Sequence, residues 1–187
     1  MITNKKIYLN YAETFPVPKV EIEAGVSYQR VWRRLASPVL FTVARDTLFL
    51  LVHNKLPVKE RLFRIGVKVD PYCEVCPGGV ICDVEHYFCS CSKVSHVWGW
   101  VRARLVDVLG NNSVSNWELI NLLLPASSNH NEAVWLLGSY VSRTWEDTFV
   151  RGGAWLRSEQ FFWFLRFKYR ADQLGARITL KVIPGLL

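Results

Sequence analysis

Cysteine is missing from residues 1–72 and again from 92–187, so no disulfide framework runs through most of this 187-residue chain. Also missing is any run of about 18 apolar residues free of charge. The greasiest stretch, Pro38 to Val52, carries Arg45 and Asp46, which excludes an ordinary membrane-spanning helix. The first residues, MITNKKIYLNY, hold no uninterrupted apolar segment and no small-residue cleavage signal. The chain is therefore expected inside the cell, nuclear or cytoplasmic, and not secreted. Internal repeats and low-complexity segments are absent. So are a His-Glu-x-x-His helix, a Walker loop and a Gly-x-Ser-x-Gly elbow. Acidic residues are scarce: 16 Asp and Glu face 23 Lys and Arg, a formal net charge of +7. Such a balance favours an acidic partner, of which nucleic acid is the commonest, without identifying it.

What is present is a core-forming chain. Half of the residues are apolar and 13% aromatic, which rules out wholesale disorder. A chain of this size hides roughly 70% of its unfolded surface and folds as one domain, or one plus an appendage.

The apolar pattern is mainly that of helices. Residues 1–26, with Pro16 and Pro18, read as an irregular lead-in. Ser27 caps an expected helix through Leu35, with Arg30, Arg33 and Arg34 on its outer side. Ser37-Pro38 reads as a cap and first turn of a helix reaching His53, where His53 faces the negative end of the helix dipole. A short helix from Pro57 to Ile65 stops at Gly66. Ser92 is the expected N-cap of a helix whose stripe is Val94, Val97, Trp98, Val101, Leu105 and Val108, ended by Gly110-Asn111-Asn112. Trp117–Leu124 is a helix stopped by Pro125, and His130 sits in the polar loop that follows. Asn131 to about Arg151 carries a further stripe, and Ser158 opens a last helix through about Leu174. Trp32, Trp98, Trp100, Trp135 and Trp145 fall in these helical patterns and are assigned to the core, as is Trp163. The expected domains are the lead-in, a unit at 27–110 with an irregular loop at 72–91, and a C-terminal helical region at 111–187.

All five cysteines lie in that loop: Cys73, Cys76, Cys82, Cys89 and Cys91. Clustering without an export signal points to a metal rather than to disulfides. Zinc takes four tetrahedral thiolate or imidazole ligands, and a Cys-x2-Cys turn presents two of them with little strain. Cys73, Cys76, His86 and Cys91 give Cys-x2-Cys-x9-His-x4-Cys, provided a turn brings Cys91 back over His86. Gly78-Gly79 lets the intervening chain reverse. Other sets remain open on spacing alone: Cys91 paired with His96, or Cys82 or Cys89 in place of Cys91. Reduced, metal-free cysteines remain open too. Four good ligands close the coordination sphere, so the expected Zn²⁺ is structural. The zinc deaminases need His-x-Glu before Pro-Cys-x-x-Cys, and here the order is reversed.

The loop holds Glu74, Asp83 and Glu85 and no Lys or Arg between Cys73 and Cys91. With three thiolates around one Zn²⁺ it carries about four negative charges and repels phosphate. Nucleic-acid contacts are therefore expected from the flanks: Lys59, Arg61 and Arg64 on one side, Arg166, Lys168 and Arg170 on the other. In 161–170, FFWFLRFKYR, aromatics alternate with cations, a composition suited to stacking bases and meeting phosphates.

The pattern Val31-Trp32-Arg33-Arg34-Leu35, Arg45-Asp46, Leu56-Pro57-Val58-Lys59-Glu60-Arg61-Leu62, Cys73-x2-Cys76, Glu85-His86-Tyr87-Phe88, Cys91 and Val97-Trp98 resembles the zinc-binding domain that follows the reverse transcriptase in non-LTR (LINE-type) retrotransposons. The resemblance covers roughly residues 28–105 and places the family's ligands on Cys73, Cys76, His86 and Cys91. Cys82 and Cys89 have no role in the pattern, and Cys82 stands where a polar residue is expected. The resemblance implies binding of RNA or target DNA during target-primed reverse transcription, beside a reverse transcriptase or endonuclease protein. No polymerase Asp-Asp motif and no endonuclease is present, so no enzymatic activity is expected. Two alternatives stand beside this expectation: a zinc-organised protein-interaction scaffold, and a retrotransposon remnant without selected function.

Overall fold

The computed structural model describes residues 28–110, 113–125, 130–150, 161 and 163–165. The lead-in at 1–26 and the C-terminal tail lie outside the described residues. Within them the fold is helical, as the periodicity predicts, with an irregular loop carrying the cysteines. The helices are α1 (Tyr28–Leu35), α2 (Thr42–Val52), α3 (Lys59–Arg64), α4 (Ser95–Leu109), α5 (Asn116–Ile120) and α6 (His130–Trp145). A wide π-type turn, Glu146–Val150, continues α6, and another, His86–Ser90, lies between α3 and α4.

Helices α2, α4 and α6 form the centre. From α2 come Ala44, Leu48 and Leu51; from α4 come Val97, Val101, Leu105 and Val108. α6 is buried almost all round, from Ala133 through Val141, as befits the helix both others pack against. Its Gly138 makes the closest approach possible. A Cβ there would collide with Leu40 Cδ2 and lie 3.3 Å from Ala44 Cβ.

Three helix starts or ends differ from the sequence expectation. α2 begins at Thr42 with Phe41 as its cap, not at Ser37-Pro38. The Leu40 N–H closes a separate turn onto the Ser37 carbonyl, and the Arg45 guanidinium holds that turn by donating to the Leu35, Ser37 and Leu40 carbonyls. α4 begins at Ser95 rather than Ser92, because Ser92 is engaged with the cysteine loop. α5 ends at Ile120 because Leu122 takes φ +59°, a left-handed conformation that breaks the helix. Its start is well built: Ser115 and Glu118 form a reciprocal capping box.

Side-chain placement brings further corrections. Arg34, assigned to the outer side of α1, is buried. It donates to the Leu122 carbonyl, to the Leu124 carbonyl at 2.6 Å and to His130 Nε2 at 2.6 Å, thereby satisfying the carbonyls freed where α5 ends. His130 is therefore the first residue of α6, not part of a loop. Trp98, Trp135 and Trp145 are buried and Trp100 is half-buried, as expected. Trp32 is 39% exposed, its ring set against Phe49 (5.7 Å) and His53 (5.4 Å) instead of the core. Trp163 is 74% exposed, because Phe161 and Leu165 take the core-facing positions of that short helical piece. No helix among the described residues is long and apolar enough to cross a membrane.

Overpacking at a close helix contact costs about 1–3 kcal/mol. Gly138→Val should therefore lower unfolding free energy by about 2 kcal/mol in a urea titration of the zinc-loaded chain; an unchanged midpoint would contradict the close approach of α2 to α6.

Candidate metal centre

Two local structures present the cysteine-rich loop's side chains. The first is a hairpin at 71–82. The Cys73 N–H donates to the Val80 carbonyl and the Cys82 N–H to the Pro71 carbonyl, both at 2.8 Å, around an isolated bridge between Tyr72 and Ile81. Gly78 and Gly79 turn the chain at φ +86° and +68°, a conformation a Cβ would oppose. The reversal leaves Cys73 and Cys76 side by side. α3 docks on the same hairpin: the Glu60 N–H, one of the donors left over at a helix start, reaches the Cys82 carbonyl at 3.1 Å. Lys59 Nζ pairs with Asp70 at 3.2 Å and Glu74 at 3.0 Å.

The second is the wide turn at His86–Ser90. Asp83 caps it by accepting the His86 N–H at 2.7 Å. The turn closes where the Cys91 N–H donates to the His86 carbonyl at 2.8 Å, five residues apart, so Cys91 folds back over His86. Phe88, buried at the turn's centre, has its carbonyl bound by Tyr140 Oη of α6 at 2.5 Å. The turn is thus tied to the central helix.

Together the two structures bring one ligand atom each of Cys73, Cys76, His86 and Cys91 within 4.8 Å of one another. Cys91 Sγ lies 3.9 Å from both Cys73 Sγ and Cys76 Sγ. That is far beyond a disulfide bond of about 2.05 Å. It matches the edge of a tetrahedron of thiolates about 2.3 Å from a central Zn²⁺, which is about 3.8 Å. His86 Nε2 is buried without a hydrogen-bond partner among the described residues. Three sulfurs and an imidazole at these separations fit zinc in both donor type and geometry.

Electrostatics favour ligation as well. The Ser92 N–H donates to Cys76 Sγ at 3.4 Å, with the Ser92 hydroxyl 3.5 Å away, and these contacts hold the Cys76 thiol below its usual pKa. Burial pushes the Cys91 thiol up. It also pushes His86 down, which keeps the imidazole neutral and available as a ligand.

The remaining candidates fall elsewhere. Cys82 is buried beside Cys73, its thiol pushed up to about 12 mainly by burial, and Cys89 is buried with its thiol raised for the same reason. Neither joins the converging four, nor does His96, which is exposed on α4. Of the basic candidates, Lys59 is ion-paired to the hairpin, Arg61 donates to the Asn54 carbonyl at 2.6 Å, and Arg64 pairs with Glu60. Arg166, Lys168 and Arg170 lie outside the described residues. Ser92 and Asp83 are the positioning residues that sequence reasoning missed. Ser92 reads as a helix cap and Asp83 as part of an acidic run, and only the folded loop shows which backbone and sulfur atoms they meet.

Three sulfurs and one ring nitrogen converging within 4.8 Å between helices are the donor set of a small zinc-binding domain. Residues 20–98, which contain all four converging side chains, match the family model described as zinc-binding in reverse transcriptase. That segment is similar to the family's zinc-binding domain. Comparison with curated proteins found no match, and comparison with solved structures found none either.

Metal removal should be costly, because ligand organisation supplies folding free energy. A chelator should lower the thermal midpoint followed by circular dichroism, and Cys91→Ser should mimic it, whereas His96→Ala should keep the wild-type midpoint. An unchanged melt would contradict the centre. The pH dependence follows from Cys91. Its thiol is protonated at neutral pH without metal, so zinc displaces that proton, and zinc affinity should fall at least about tenfold per pH unit from pH 8 to 6. His86 adds to the loss only below its lowered pKa. Competition with a chromophoric chelator measures this; pH-independent affinity would contradict it.

Proposed function

We propose that this chain is a non-enzymatic, structurally zinc-stabilised nucleic-acid-binding module of a non-LTR retrotransposon. In this reading it serves target-primed reverse transcription as an accessory to polymerase and endonuclease activities located elsewhere. The observation that carries it is the convergence of Cys73, Cys76, His86 and Cys91 within 4.8 Å. Four protein ligands leave zinc no open position for substrate or water, so the metal's work is to hold the hairpin, the wide turn and α4 in one orientation.

Binding to nucleic acid is supported by charge and by exposed rings. The net charge is +7, while the metal loop itself is acidic, with only Lys59 brought in to offset Glu74. Contacts are then made away from the metal. The half-exposed cluster of Trp32, Phe49 and His53, with Phe49 and His53 rings 4.4 Å apart, offers flat faces on which bases stack.

A second reading, a protein-docking scaffold, is favoured by one specific feature. Phe63, Ile65, Val67, Val69, Tyr72 and Ile81 are all exposed along the outer side of α3 and the hairpin, with Val69 at 92%. The discriminating measurement is anisotropy of a labelled 20-nucleotide RNA. Counterion release predicts that the dissociation constant rises about tenfold or more between 50 and 200 mM salt. Absent or salt-independent binding would reject the nucleic-acid reading and leave the scaffold.

A further inference from the structure

A cleft with a volume of about 600 Å³ opens between α1 and the start of α6. Arg30, Arg33, Arg34, Ser37, His130 and Asn131 line it, and among the described residues no Asp or Glu does. Lys59, Arg64, Arg104 and Arg143 each have a carboxylate within 4.0 Å. Arg30 and Arg33 are exposed and have no ion pair among the described residues.

Arg34 supplies the second half of the argument. A buried cation is costly unless it is paired, yet Arg34 meets only neutral acceptors: the Leu122 and Leu124 carbonyls and His130 Nε2. Those bonds fix the guanidinium and use three of its five N–H donors without cancelling its charge. Burial, and secondly the nearby Arg30, depress its pKa to about 10, so it stays charged at neutral pH. The first residues of the 16-residue α6, His130 and Asn131, bring the positive end of a helix dipole to the same rim. The acid in the first turn of α6, Glu132, is taken by Arg104 at 2.9 Å, so three guanidiniums and a helix start leave one ingredient missing: an anion.

We infer that this cleft seats backbone phosphates of single-stranded nucleic acid, with Arg30 and Arg33 making the contacts and Arg34 fixed behind them as a permanent positive charge. The inference rests on the nucleic-acid reading above and gives it a location. A single strand fits better than a duplex because the exposed Trp32 ring lies on the same helix, beside Phe49 and His53, where unpaired bases stack.

The test uses the zinc-loaded full chain and a fluorescein-labelled 15-nucleotide oligodeoxythymidylate. Arg30→Gln with Arg33→Gln removes two unbonded cations and should leave the thermal melt unchanged. It should weaken binding at least tenfold and flatten the log affinity against log salt slope by about 1.4, or 0.7 per lost phosphate contact. Lys68→Gln with Lys93→Gln removes the same charge from exposed positions outside the cleft and should cost less than threefold. If both pairs weaken binding equally, the cleft is overturned and diffuse charge attraction stands, with the nucleic-acid reading intact. If the wild-type chain does not bind the oligonucleotide at all, that reading fails and the cleft proposal falls with it.

Discussion

Three sulfurs and one ring nitrogen, drawn from a hairpin and from a wide helical turn, converge within 4.8 Å, with two sulfur–sulfur separations at the edge length of a zinc-centred tetrahedron. The wide turn is anchored by its buried Tyr87, Phe88 and Cys89, but the hairpin has little hydrophobic reason to hold its shape. The hairpin has one isolated bridge and exposed apolar residues, and α3 beside it buries none of its residues. Short ladders of this kind are marginal in water. In the proposed reading metal ligation supplies what packing does not in the hairpin, while the Tyr140 bond to the Phe88 carbonyl ties the wide turn to α6 and the core.

The rest of the molecule divides its charge around that centre. Acidic residues gather at the metal loop, where Asp83 caps the ligand-bearing turn and Glu74 takes Lys59. Arginines without an ion pair among the described residues, Arg30 and Arg33, gather beside Arg34 at the junction of α1 with α6. In the proposed reading this division lets a basic chain keep a negative metal loop while the cleft attracts an anion.

The convergence of Cys73, Cys76, His86 and Cys91 was legible because spacing constrains geometry. Two cysteines three residues apart lie side by side in a turn, and His86 and Cys91 need only one wide turn to meet. Glycine pairs and helical stripes were legible for the same reason, since each is a local rule. Arg34 was not legible. A helical wheel puts an arginine outside, and only the arrival of Leu122 and Leu124 carbonyls from 88 and 90 residues away makes burial tolerable. Trp32 failed in the other direction, because stripe membership says nothing about whether another helix arrives to cover it. Ser37 and Ser92 show why caps mislead: each has the right residue type, but tertiary hydrogen bonds at Arg45 and Cys76 claim the surrounding backbone first.

X-ray absorption at the zinc edge of the purified full chain tests the central claim most directly. The account predicts one zinc per chain with three sulfurs at about 2.3 Å and one nitrogen at about 2.0–2.1 Å. A substoichiometric metal, a four-sulfur shell that recruits Cys82 or Cys89, or a shell containing solvent oxygen would contradict it.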